Sequence, residues 1–164
     1  MRLRRATPQD LEAAGAVTVA AYADFVLGPE DPYVERLRDA AQRDREAELW
    51  VAVEEDPAHR DRVLGTVTLC PPGSPWREIS REGEGEFRML AVDPAARGRG
   101  VGAALVDLVL EHHRAAGATA VVMSSLTTMT GAHRLYARAG FVRLPERDFS
   151  PAPAVSLIAF GRDL

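Results

Sequence analysis

Apolar positions recur along the chain with two different periods, and the switches between them mark the elements. Residues 2–6 read as a short strand that runs into Thr7-Pro8-Gln9-Asp10. There a capping hydroxyl, a proline at the first helical position and an acid at the third predict a helix start. Leu11, Ala14, Thr18, Ala21 and Phe25 then follow at helical spacing until Gly28-Pro29. Asp31-Pro32 restarts a second helix with Val34, Leu37 and Ala41 on one face. From Leu49 the period becomes two. Residues 49–53 and 63–69 are strands joined as a hairpin through the polar turn at 54–61. Pro71, Pro72, Gly73 and Pro75 stop the second of them, and residues 76–85 read as a surface loop with an exposed Trp76.

Residues 86–92 (EFRMLAV) form the next strand, and Asp93-Pro94-Ala95-Ala96 turns it into Arg97-Gly98-Arg99-Gly100-Val101-Gly102. A helix from Val101 to about Ala116 follows, with Val101, Ala104, Leu105, Leu108 and Val109 on its apolar face and Gly117 as its cap. Residues 120–123 are a near-continuous apolar run, as in a central buried strand. A short helix carrying Ala132, Leu135, Tyr136 and Ala139 ends at Gly140, and strands at 141–144 and 155–160 complete the chain. The order β-α-α-β-β-β-α-β-α-β-β predicts a mixed α/β fold, one sheet with helices on both faces, as a single domain over 1–164.

The strand, turn and glycine-rich helix start make an anion site. The first amides of a helix lack intrahelical partners and carry the positive end of its dipole, and glycines let a phosphate approach them closely. Arg97 and Arg99 add charge. Gly98-x-Gly100-x-x-Ala103 also fits a dinucleotide fingerprint, which would make the chain an oxidoreductase. That reading wants the unit to open the domain and an acid at the end of the next strand, where Met123-Ser124-Ser125-Leu126 stands instead.

Composition narrows the chemistry. All 20 basic side chains are arginine, and the 164 residues contain neither lysine nor asparagine. Lysine Schiff bases, a phosphate-loop lysine and N-glycosylation are therefore excluded. A net charge of −4 argues against nucleic acid as a partner. No apolar stretch approaches the roughly 18 residues of a membrane span, so no membrane role is expected. The single Cys70 and the basic start without an apolar core point to the cytoplasm. His112 and His113 point about 100° apart on a helix and favour its C-terminal dipole, while His59 and His133 are isolated, so no metal site is expected.

Arg97-Gly98-Arg99-Gly100-Val101-Gly102 resembles the R/Q-x-x-G-x-G/A signature of the GNAT superfamily of acyl-CoA-dependent N-acyltransferases. Leu90-Ala91-Val92-Asp93-Pro94 and Leu135-Tyr136-Ala137-Arg138-Ala139-Gly140-Phe141 resemble two further segments of that family in the same order. The resemblance implies a mostly antiparallel sheet splayed between its fourth and fifth strands. It implies acetyl-CoA as cosubstrate, with pyrophosphate on the amides of Gly98 to Ala103 (Gly98, Arg99, Gly100, Val101, Gly102, Ala103) beside Arg97, and the pantetheine arm along Leu90, Ala91 and Val92. Tyr136 corresponds to the family's general acid, although its bare position also suits a core aromatic. Glu86 stands where some members carry a general base, and equally reads as one charge in the run Glu82, Glu84, Glu86. Arg88 shares its strand face and is expected to pair with it or to line the acceptor groove. Met129 replaces an asparagine that commonly contacts the cofactor arm, leaving Thr128, Thr130 or backbone to do so. The acceptor is an amine, small or peptidic. A non-catalytic acyl-CoA-binding module is the alternative, and oligomeric state stays open, a homodimer being one option.

Overall fold

The computed structural model describes residues 1–28, 30–56 and 61–164; Pro29 and positions 57–60 of the expected hairpin turn, His59 among them, lie outside them. The elements are β1 (Arg2–Arg5), α1 (Leu11–Tyr22), α2 (Pro32–Arg38), α3 (Ala40–Glu46), β2 (Glu48–Glu54), β3 (Arg62–Cys70) and β4 (Glu84–Val92). After them come α4 (Val101–Ala115), β5 (Ala120–Leu126), α5 (Thr130–Arg138), β6 (Val142–Arg143), β7 (Phe149–Ala152) and β8 (Val155–Asp163).

Local chemistry moves three expected boundaries. Asp10 takes over the helix start: its carboxylate accepts from the Thr7 amide and hydroxyl, each at 2.7 Å, and from Arg4 at 2.6 Å, so residues 7–10 are a turn ahead of α1. The helix expected after Asp31 is two. Asp39 leaves the helical region (φ −75°, ψ 72°) and its carboxylate caps α3 by accepting the Gln42 amide at 2.8 Å. α1 stops at Tyr22 and continues as a single 3-10 turn over Ala23–Phe25.

The sheet runs β1-β2-β3-β4-β5-β8-β6, with β7 also on β8. Every pairing is antiparallel except β4 with β5, which is parallel. That contact is short: Glu84, Gly85 and Glu86 face Ala120, Val121 and Val122. Beyond it the two strands part, and β8 follows β5 as far as Leu126. One face packs on α4 and α5 through Leu64, Val67, Phe87, Leu105, Val109 and Tyr136. The other packs on α1 to α3 through Ala14, Leu37, Ala40, Val51, Cys70 and Met89.

A bulge interrupts β4 where the strands part. Thr66 faces Ala91 while Thr68 faces Arg88, and Met89 adopts φ +50°, a left-handed conformation rare outside glycine. The extra residue shifts the alternation. Phe87 packs under α4, whereas Arg88 and Met89 both reach Trp76 on the opposite face.

Two surface expectations need correction. Trp76 is 2% exposed, because its loop folds back onto Leu37, Ala47, Cys70 and Met89, and its indole N–H donates to Glu46 at 3.0 Å. His113 does not serve the helix dipole as a cation: it is buried against Gly85, and burial pushes its imidazole down to about 4. A neutral buried histidine stabilises the fold fully above its unfolded value of about 6.5, and that contribution is lost as pH falls toward 4. Between about pH 7.5 and about pH 5 this amounts to about 2 kcal/mol. Urea unfolding of the parent chain is expected to show that loss, and His113→Gln is expected to flatten it.

Candidate active site

The glycine loop sits at the N-terminus of α4 as expected. Gly98 (φ +77°) and Gly100 (φ +81°) take left-handed conformations, and a Cβ built on either meets nothing within 4 Å, so the loop presents open backbone. The first intrahelical acceptance goes to Ala104, which donates to Gly100, leaving the Val101, Gly102 and Ala103 amides to face outward from the helix end. A groove of about 700 Å³ runs from this loop past Leu90, Ala91 and Val92 of β4. The open concave backbone, its unpaired amides and this length of groove suit a phosphate-bearing ligand with an extended arm.

The charges around the loop differ from expectation. Arg97 lines the groove, but Arg99 pairs with Glu54 on β2. In its place α5 contributes Arg134 and Arg138, one turn apart on the same face. The only advance signal was that four-residue spacing, indistinguishable from ordinary surface arginine in a chain whose every base is arginine. Met129 lies at the start of α5 as an apolar part of the wall.

At the parting of β4 and β5 the groove meets a smaller cavity of about 60 Å³. The two share Tyr22, Leu90, Met129 and Ala132 in their walls. Tyr136 lines the small cavity from α5, its ring edge-on to Phe87 and Phe141 at 6.0 Å. Burial raises its phenol well above the ordinary value, so the hydroxyl keeps its proton at any working pH.

Glu86 is fully buried and both its oxygens are occupied. They accept from the amides of Glu78 (3.0 Å), Ile79 (3.3 Å) and Ser80 (3.0 Å) and from the Ser80 hydroxyl (2.5 Å). This carboxylate clamps the 78–80 loop onto β4. Its removal strands three amides, so Glu86→Ala is expected to lower stability by about 3 kcal/mol in urea unfolding.

The clamp brings Glu78, which the sequence did not single out, against Arg88, which lines the cavity. Glu78 lies 2.9 Å from Arg88 on β4 and is hydrogen-bonded by Ser124 on β5, so it spans the parting. Burial raises its carboxyl above the usual range, the Arg88 charge opposes that, and the nearby Glu86 adds to it. Arg88 therefore pairs with Glu78 and not with Glu86. Glu84 of the same run is committed elsewhere, holding Arg147 through two bonds of 2.6 and 2.9 Å.

A family model described as the acetyltransferase (GNAT) family matches residues 17–141. Curated proteins named mycothiol acetyltransferase are similar to the chain. That of Cellulomonas flavigena is 34% identical over 162 residues, 90% of this chain and 42% of the relative. That of Nocardia farcinica is 32% identical over 164 residues, 86% of this chain and 51% of the relative. The chain thus spans about half the length of these curated relatives. Among solved structures, an acetyltransferase of the GNAT family from Staphylococcus aureus Mu50 superposes with a TM-score of 0.76 at 14% identity, covering 99% of this chain and 98% of its own. A GCN5-related N-acetyltransferase from Kribbella flavida gives 0.71 at 24%, covering 99% and 97%. At such identities the likeness is one of fold.

Proposed function

The chain belongs to the acetyltransferase (GNAT) family, and from that premise we propose that it transfers an acetyl group from acetyl-CoA to an amine by direct attack. The observation that carries this is the continuity of the amide-lined groove with a cavity lined by Tyr136 and by Arg88, which pairs with Glu78. Acetyl-CoA supplies the acyl group and a thiol leaving group.

The amides of Val101, Gly102 and Ala103, with Arg97, Arg134 and Arg138, hold the phosphates. Backbone groups of Leu90, Ala91 and Val92 align the arm beside the parted strand and polarise the carbonyl. Glu78 takes a proton from the acceptor ammonium, a role its raised carboxyl suits at neutral pH. The freed lone pair forms the new C–N bond, the C–S bond breaks as Tyr136 donates its proton to sulfur, and the second proton of the attacking nitrogen returns to the Tyr136 phenolate as the amide forms. A buried phenol is a weak acid, but exclusion of water raises the proton affinity of a departing thiolate as well. Glu86 acts one step back, holding the loop that carries Glu78.

The test is thiol release from acetyl-CoA with amines, amino acids and peptides as acceptors, beside calorimetric titration of acetyl-CoA. Amine-dependent release supports the reading. Tight binding of acetyl-CoA with no release for any amine would leave a non-catalytic acyl-CoA-binding module.

A further inference from the structure

Arg88 is the only charged side chain among the described residues lining the small cavity, and its side chain is 10% exposed. Its Nη1 lies 2.9 Å from Glu78 Oε1 without an aligned hydrogen bond, so the ion pair leaves the directional capacity of the fork unused where Arg88 lines the cavity. Buried guanidinium donors are costly to leave unmet, and a carboxylate is the group whose planar fork matches them. Two further guanidinium groups act on the same wall: at Tyr33 burial raises the phenol, and the charges of Arg88, Arg36 and Arg43 oppose that rise while Glu78 adds to it. Arg43 is fully buried, and its hydrogen bonds go to the neutral oxygens of Thr18, Leu37 and Thr68. Glu86, the other acid nearby, has its oxygens turned to the loop amides.

We propose that the acceptor is a free amino acid, bound as its zwitterion with the carboxylate on Arg88 and the ammonium against Glu78. This rests on the acetyl-transfer reading of the same site and narrows its substrate class. The Glu78–Arg88 pair is then the mirror of the ligand: one carboxylate beside the ammonium, one guanidinium beside the carboxylate. The cavity of about 60 Å³ admits a small side chain and turns away large ones. Arg88 is a specificity-determining residue in this account. Without an acceptor carboxylate the guanidinium keeps only its unaligned contact with Glu78, which the incoming ammonium competes for, and the site rejects the ligand on that ground.

The experiment compares glycine, L-alanine and L-serine with their three carboxamides, by thiol release from acetyl-CoA on the intact chain. Both ligand sets present a primary α-amine to the same base, and the carboxamides have the less basic amine, which favours them, so an excess for the acids reports the carboxylate. The acids are expected to exceed the amides by at least about 100-fold in kcat/KM. Arg88→Gln is expected to bring that ratio to within about fivefold of one, and Arg88→Lys, which keeps the charge without the fork, to give an intermediate ratio. The Lys variant carries the comparison if the Gln variant does not fold, and an unchanged acid-to-amide ratio in it would overturn the assignment. Amides, polyamines or peptide N-termini consumed as well as the acids would overturn the amino-acid proposal while leaving acetyl transfer standing. Binding of acetyl-CoA with no amine consumed would remove both.

Discussion

Tyr136→Phe is expected to lower kcat by about 10³-fold while leaving the Kd for acetyl-CoA within about twofold. The substitution removes one oxygen and keeps the ring, so the packing against Phe87, Phe141 and Phe160 survives and the fold with it. What it deletes is the proton held at the junction of groove and cavity. The loss belongs in turnover because a leaving sulfur needs that proton only as the C–S bond breaks. Single-turnover thiol release and calorimetric titration of the same preparation separate the two quantities. A variant with undiminished kcat would return Tyr136 to the role of a core aromatic.

Glu78→Gln is expected to cost about 10²- to 10³-fold in kcat/KM at neutral pH and to change the shape of the pH profile. In the parent chain the rate rises as Glu78 loses its proton, at a pH above the ordinary carboxylate range because burial raises this group. The amide cannot titrate, so that rising limb disappears and only the acceptor's own ionisation remains. Glutamine keeps the length of the side chain, and Glu86 still clamps the loop beneath it. Full activity with the acidic limb intact would sink the assignment of the base.

The contrast between Glu86 and Glu78 shows what was legible in the sequence. Period and punctuation reveal the strand at 86–92, the glycine loop, α4 and α5, because each is a local pattern. The splay between β4 and β5 follows from the family resemblance and appears as three paired positions followed by none. Glu86 stood at the right place along the strand, but its neighbours in space are residues 78–80, folded back by a proline- and glycine-rich loop that has no periodicity. The same folding back buries Trp76 and carries Glu78 to Arg88. Arg43 is a comparable case: a charged residue in a helix reads as a wet face, and only the assembled α1–α3 layer shows it fully buried. Met89 gave no sign of its left-handed backbone, since neither glycine nor asparagine marks the bulge.

The open backbone at Gly98 and Gly100 has one more consequence. Donors that belong to the main chain are shared by every amino acid but proline, so deleting side chains around the loop would remove the arginine charges and leave the amide cradle in place. Replacing either glycine is what spoils the cradle, through its left-handed backbone and the space it leaves vacant. The proposed acceptor side is the reverse, resting on the side chains of Arg88, Glu78 and Tyr136, each removable by one substitution. A single substitution on the acceptor side is thus able to exchange one acceptor for another while the backbone handle for the acyl donor stays in place.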